Sequence, residues 1–588
     1  VGERRPAATY WLTRFVILRL LGFVYFFAFL SAAVQVVPLI GHDGLLPADA
    51  YLTRVAAGLG STGAGFARLP SLFWFHLSDT WMLAAAWFGV ALSLVVVLGY
   101  ANAILMAVLW AVYFSFVSIG QDWYGYGWEI QLLETGFIAI FLCPLLDGRP
   151  FPRRPAPFAA ILLMRWLAFR IFLGAGLIKI RGDQCWRDLT CLVHHYETQP
   201  IPNPLSRWFH FRPLWFHRGG ALYNHLSELV SPWFVFGPRL LRRTAGGILL
   251  LFQAILITSG NLSFLNYLTI VPVLATFDDD LLRRVLPARL GRRAGRARDE
   301  AVPLPRMERL AWGYAAIVAL LSLNPVLNML SSRQIMNTSF DPLHLVNTYG
   351  AFGSVGEVRH EIVFEGTAEA QPGPDTAWKE YDFWCKPGDP RRRPCVIAPF
   401  QPRLDWAIWF AAMSTPERYP WTLHLVWKLL HNDAPTLRLL AANPFPAAPP
   451  RFVRAAFYRY SFAPPGNPDG AWWRREYLGE WLPPLAADDP RLLRFLGAYG
   501  WESDVSGTSG ASAMPAAASP ARTAEAIAAA PGVSPCRQRV RASTAIAWPP
   551  QATARRSRAI DTACAAASSG SASSAPSSAR DRSVPSGS

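Results

Sequence analysis

KEYDFWCKPGDPRRRPCVIAPFQPRLDWAIWFAAM, the run from Lys379 to Met413, decides how this chain is read. Cys385 and Cys395 bracket a Pro387-Gly388 turn and the consecutive arginines Arg391, Arg392 and Arg393. Proline followed by glycine is a strong turn signal, and a turn there folds the two cysteines back toward each other. A disulfide closing a loop of this size contributes about 2–3 kcal/mol. A zinc site would need further ligands at suitable spacing, and none stands nearby. From Leu404 to Met413 the spacing of apolar residues predicts a helix. Turn, cysteine bracket and helix describe a folded, water-facing domain. It begins only after the last long apolar run, which ends near Leu330.

Upstream of that point the chain is a different material. Of its 588 residues 52% are hydrophobic and 16% charged, a balance that belongs to multi-span membrane proteins. About nine apolar segments are candidate spans: Phe15–Val37, Met82–Leu98, Ala101–Ile119, Ile130–Leu146, Phe158–Ile180, Ala221–Phe236, Ala245–Thr258, Ser263–Phe277 and Ala311–Leu330, the seventh and eighth short enough to be tilted, re-entrant or buried in the bundle. Gly99-Tyr100-Ala101-Asn102 reads as a tight hairpin between the second and third. The fold class expected is therefore an α-helical multi-span bundle, residues 1–330, then an exoplasmic α+β domain, 331–503, then a disordered tail, 504–588. The tail is mostly Ala, Ser, Pro and Arg, too poor in apolar residues to offset chain entropy.

The net charge of +16 does not indicate nucleic acid. The arginines lie in loops, in the C-terminal domain and in the tail, with no nucleic-acid motif among them. Placing the N-terminus in the cytoplasm puts 18 arginines in cytoplasmic loops and seven in exoplasmic ones, which is the positive-inside bias. An odd number of spans then carries the C-terminal domain outside. Cys185, Cys191, Cys385 and Cys395 all fall on that side, where disulfides persist. With four lysines against 52 arginines and much Ala, Pro and Gly, the composition reads as bacterial.

Within the exported domain, Glu357–Thr367, Trp378–Trp384 and Phe452–Phe462 read as strands, and Leu404–Met413 and Trp421–Leu430 as helices. Several stretches closely resemble the lipase maturation factor family. They are the Lys379–Met413 run, Asn347-Thr348-Tyr349-Gly350-Ala351-Phe352-Gly353, the loop RGDQCWRDLTCLVHHYETQPIPNP from Arg181, and RFVRAAFYRYSF from Arg451. The resemblance covers residues 10–500 and implies a membrane-anchored maturation factor that assists secreted lipases into active dimers. It implies an endoplasmic-reticulum membrane in a eukaryotic cell; a bacterial host would place the protein in the plasma (inner) membrane. The partners expected are the lipid bilayer and a secreted lipase-like client, with no nucleic acid, and no cofactor or metal is expected.

Candidate site residues follow from both lines. Tyr349, Gly350, Phe352 and Gly353 are expected to shape the client contact, the glycines by permitting unusual backbone conformations and Phe352 as an aromatic anchor. The competing reading packs Tyr349 and Phe352 into the domain core. Cys185 and Cys191 flank Trp186 and form a second candidate disulfide. Glu134, Arg165 and Arg170 lie inside expected spans, where ionised groups are normally paired, so Glu134 is expected to pair with Arg165 or Arg170. His194, His195 and Glu197 are weighed as metal ligands, against a hydrogen-bonded loop. Asn261 and Asn337 open glycosylation sequons on the exported side.

Lys179 closes the fifth expected span. Its surroundings, Gly174-Ala175-Gly176-Leu177-Ile178-Lys179-Ile180, faintly resemble the vitamin K-dependent gamma-carboxylase group, in which a lysine of such a segment acts as a base. That resemblance implies an alternative function, an intramembrane enzyme acting on a lipid-soluble substrate. The competing reading is a lysine that snorkels to the membrane surface.

Overall fold

The computed structural model describes residues 9–501. The apolar run behind Arg19 forms a 30-residue helix, Trp11–Ile40. Asp79–Leu98, Phe158–Arg181, Arg239–Ser259 and Pro305–Leu330 are the other helices long and apolar enough to cross a membrane, five in all among the described residues. Ala103–Ile119, Gly127–Leu142 and Leu265–Val273 are shorter apolar helices packed among them. Local capping sets several boundaries. The Ser78 hydroxyl accepts from Trp81 N–H at the start of Asp79–Leu98. Gly99 ends that helix at φ 124°, a conformation that costs glycine little, and Asn102 caps the next helix through Leu105 N–H.

The sixth expected span, Ala221–Phe236, is not one regular helix. The α-helix Leu214–His225 runs into a wider π-turn at Leu226–Val230 and then a tight 3₁₀ stretch, Ser231–Phe236. Pro232 supplies no N–H for the helical ladder, and Ser231 Oγ donates back to Leu226 O at 2.9 Å.

The C-terminal domain carries a four-stranded antiparallel sheet in the order β2-β1-β5-β6. Its strands are β1 (Arg359–Thr367), β2 (Lys379–Glu380), β5 (Phe452–Phe462) and β6 (Trp473–Ala486). The short strands β3 (Asp382–Phe383) and β4 (Leu440–Ala442) form a separate pair. Central strand β1 is buried along nearly its whole length, as a strand covered on both faces must be. The helices Arg403–Ala412 and Trp421–Leu430 pack on β1 and β5. Strand β6 and the final helix, Pro490–Tyr499, are elements that the sequence reading did not contain.

Bundle and sheet domain share one hydrophobic core. Trp123 of the bundle packs at a tilt against Trp421 of the domain with ring centroids 5.0 Å apart, and Trp128 meets Trp406 edge-on at 5.0 Å. The domain sits at the Ile40 end of the first helix. There Ser31 Oγ and Gln35 Nε2 donate to Gln401 O at 3.0 and 2.8 Å, and Arg403 N–H donates to Gln35 Oε1 at 2.8 Å. The expected tail, 504–588, lies outside the described residues.

Candidate functional site

Glu134 is the centre of the joint between bundle and domain. It stands on the Gly127–Leu142 helix, fully buried, and forms an ion pair with Arg170 of the Phe158–Arg181 helix. Its other oxygen accepts from Asn347 N–H and Asn347 Nδ2, both at 3.1 Å, and from the Tyr349 hydroxyl at 2.7 Å. Arg170 Nη1 donates to Asn347 O at 2.8 Å. A buried carboxylate is tolerable only when charge and lone pairs are matched in this way. Arg165 plays no part. Its Nε donates to Ala275 O at 2.8 Å and its Nη2 to the Tyr10 hydroxyl at 3.0 Å, so of the two arginines it is Arg170 that pairs with Glu134.

The same contacts correct the expectation for Tyr349, Gly350, Phe352 and Gly353. Tyr349 is only 4% exposed. The segment is held along its length by the bundle: Trp186 Nε1 donates to Phe352 O at 2.8 Å, Asp183 N–H to Gly353 O at 3.1 Å, and Val355 N–H to Asp183 Oδ2 at 2.6 Å. Neither Gly350 nor Gly353 has a positive φ; that conformation falls on Phe352, at 52°. The glycines allow close approach instead. A Cβ on Gly350 would come within 2.7 Å of Met336 Cβ, and one on Gly174 within 2.6 Å of Tyr349 O. Phe352 is half-buried with its ring against the His195 imidazole, centroids 4.7 Å apart. This stretch is a seam.

Lys179 is also turned inward. Its Nζ lies 2.6 and 2.7 Å from the two Glu228 oxygens and 3.0 Å from Asn224 Oδ1, above the Trp186 ring at 5.1 Å. Asn224 Nδ2 donates to Glu228 Oε2 at 2.9 Å. Only 4% of Lys179 is exposed, so the snorkelling reading fails. All three ammonium hydrogens have acceptors, an arrangement that suits a structural cation and leaves no donor for a substrate. Glu228 sits within the π-turn, whose extra residue per turn is what rotates it toward Lys179.

The loop closed by Cys385 and Cys395, whose Cα atoms are 5.4 Å apart in a disulfide, is rooted from below. Asp405 Oδ1 accepts from Cys385 N–H at 2.6 Å and Lys386 N–H at 2.9 Å. Burial raises the Asp405 pKa, and these two backbone donors oppose that rise. Lys386 Nζ pairs with Glu361 at 2.9 Å, and Glu361 pairs in turn with Arg359, which donates to Pro200 O at 3.0 Å. Asn261 clamps the far side. Its Oδ1 accepts from Ile397 and Ala398 N–H at 3.0 and 3.2 Å, and its Nδ2 donates to Cys395 O at 3.0 Å. Asn261 is 2% exposed, so its sequon is closed to glycosylation in the folded protein. The loop and its flanks leave Trp384, Asp389, Arg391, Arg393 and Val396 at the surface. Trp384 and Arg393 border a shallow cleft that reaches Pro202 and Trp473.

The second disulfide, Cys185–Cys191, has Cα atoms 4.8 Å apart and closes the turn that carries Trp186. His194, His195 and Glu197 do not converge. Glu197 Oε2 accepts from Phe462 N–H at 2.7 Å, while burial, with Lys179 nearby, pushes the His195 imidazole down to about 4. Among the described residues no group of three His, Cys, Asp or Glu is placed to hold a metal ion.

A bundle with helices long and apolar enough to span and a sheet domain packed on one end of it define an integral membrane protein with a sheet-containing C-terminal domain. Residues 12–284 match the lipase maturation factor transmembrane domain, and residues 345–483 match the lipase maturation factor C-terminal domain. The chain is 50% identical to lipase maturation factor 1 of Bos taurus over 519 residues, 83% of this chain and 91% of that protein. It is 48% identical to lipase maturation factor 1 of Mus musculus over 83% of this chain and 89% of that one. It is 28% identical to lipase maturation factor 2 of Homo sapiens over 81% and 83%. No solved structure matches. The chain belongs to the lipase maturation factor family.

Proposed function

We propose that this protein is a membrane-embedded maturation factor for secreted lipases, with the sheet domain receiving the client on the exoplasmic side. The observation that carries the reading is the 50% identity with a lipase maturation factor over nine-tenths of that protein's length. The division of labour is bundle, 1–330, as anchor, and domain, 331–503, as client-binding part.

The placement of the domain rests on a nine-span topology, of which five helices among the described residues are long and apolar enough to cross a membrane. Ala101 N–H donates to Gly148 O and Ala103 N–H to Pro144 O, so Ala103–Ile119 starts where Gly127–Leu142 ends. The turn between them meets the domain, with Arg403 Nη1 on Trp123 O and on Glu129 at 2.8 Å. Such a pair crosses and returns, leaving the count odd. The arginine bias then favours a cytoplasmic N-terminus.

Client contact is assigned to the face of the Cys385–Cys395 loop, where Trp384 is 52% and Val396 76% exposed beside Arg391 and Arg393. Aromatic and arginine side chains dominate interface energetics. Tyr349, Gly350, Phe352 and Gly353 serve the client indirectly by fixing this face relative to the membrane. A photo-crosslinking amino acid at Trp384 captures a co-expressed lipase, whereas one at Tyr349 does not. Capture from neither position would remove the assignment.

A further inference from the structure

The end of the bundle away from the domain carries a strongly basic surface that the maturation reading does not use. Helix Ala288–Asp299, ARLGRRAGRARD, buries Ala294 and Ala297 and packs on the Trp11–Ile40 helix. Its outward face bears Arg289, Arg292, Arg293 and Arg296, all exposed. Spacings of three and four residues bring them onto one side of the helix, and like charges at those spacings repel. Several acidic side chains in this layer are engaged elsewhere: Asp299 with Arg298, Glu300 with Arg153, Asp280 with Arg239, and Asp278 with Arg239, Arg242 and Arg243. Among the described residues none of the four stripe arginines makes an ion pair. The nearest compensation is Arg293 over the Phe151 ring, 5.9 Å from its centroid.

The helix is also fixed in depth. Asp279, just ahead of it, accepts from Trp11 and Leu12 N–H at 2.9 and 2.8 Å and so ties this layer to the first turn of the first long helix. Just behind it, Val302 N–H donates to Arg153 O at 3.0 Å, and Arg306 and Arg309 open the last long helix, both exposed. Val285, 75% exposed, and Trp312, 46%, flank the stripe with apolar surface. A basic helix level with the ends of spanning helices, with apolar side chains beside it, lies where lipid headgroups lie.

We propose that Arg289, Arg292, Arg293 and Arg296 form a docking surface for the anionic headgroups of the adjoining leaflet. Four uncompensated guanidinium groups at headgroup depth match a row of phosphate and carboxylate charges, and arginine binds both in bidentate fashion.

The test uses the full chain purified in a neutral detergent and supplied with equal amounts of phosphatidylserine and phosphatidylcholine. Lipid retained through gel filtration is counted by native mass spectrometry at low and high salt. The unaltered chain retains phosphatidylserine in preference, and the preference falls with salt. R289Q/R292Q/R293Q/R296Q lowers retention by at least about tenfold, given roughly fivefold per arginine at an anionic surface. The matching four-lysine variant keeps the preference, which separates lost charge from lost folding. Equal retention by the unaltered chain and the glutamine variant would overturn the proposal. So would competition by soluble glycerophosphoserine at equal concentration, since that would assign the stripe to free anions.

Discussion

The Tyr349 hydroxyl donates to Glu134 across 2.7 Å, joining residues 215 positions apart in the chain. One side of this bond belongs to the bundle and the other to the segment that leads into the sheet domain. With Arg170 and Asn347 around the same carboxylate, the bond makes the domain's position a property of the bundle interior. Tyr349→Phe removes one charge-assisted hydrogen bond and costs about 1.5–3 kcal/mol. Glu134→Ala strands the Arg170 guanidinium and costs about 3–5 kcal/mol. Thermal unfolding of the purified chain checks both, and equal melting temperatures for Tyr349→Phe and the unaltered protein would remove the bond from the account.

Lys179 and Glu228 are expected to behave as a coupled structural pair. Lys179→Met leaves a buried carboxylate unpaired and destabilises by roughly 3–5 kcal/mol, whereas Lys179→Met with Glu228→Met recovers most of that loss. The doubly substituted chain also keeps its maturation activity. A well-folded double variant without activity would make Lys179 a reacting group instead.

Asn261 carries no glycan when the chain is made in a eukaryotic cell, because its amide is consumed by the Cys385–Cys395 loop. Glycosidase treatment followed by peptide mapping shows this directly. Asn261→Ala leaves the Ile397 and Ala398 N–H groups without their acceptor and costs about 1–3 kcal/mol. A glycan found on Asn261 of the folded protein would contradict the buried clamp.

Acid weakens the joint through His195. Its folded pKa, about 4, lies below the unfolded value of about 6.5. The unfolded chain therefore binds the extra proton first. The stability this contributes is complete above about pH 6.5 and is lost progressively as pH falls toward 4. At pH 5 the loss is of order 2 kcal/mol. His195→Gln flattens the fall in melting temperature between pH 7.5 and 5, and His344, also pushed down to about 4 by burial, retains part of it. An unchanged slope in His195→Gln would show that this imidazole is not the group that titrates.

Much of the fold was legible because the physics was local. Apolar runs gave the long helices, and Phe452–Phe462 and Trp421–Leu430 kept the bounds read from their patterns. Strand β6 was missed because Arg474-Arg475 and Pro483-Pro484 look like loop, and only pairing with β5 makes it a strand. The sixth apolar segment departs from a regular helix where Pro232 interrupts the ladder, a break that hydropathy does not register. The site was legible only in part. Glu134 and Arg170 announced themselves as intramembrane charges that needed partners, but nothing local reveals that Tyr349 and Asn347 are among them. Asn261 looked like a sequon because its acceptors and donors come from 134 to 137 residues downstream.

We propose that the exposed face of the Cys385–Cys395 loop brings secreted lipases to activity, and secreted lipase activity measures it. Cells stripped of their own lipase maturation factor are supplied with this chain, or with W384A/R391A/R393A, and active lipase is assayed in the medium. The account predicts that the unaltered chain restores activity and that the variant, equally abundant and equally stable in the membrane, restores little. A folded, membrane-inserted chain that restores no activity would contradict the maturation function itself.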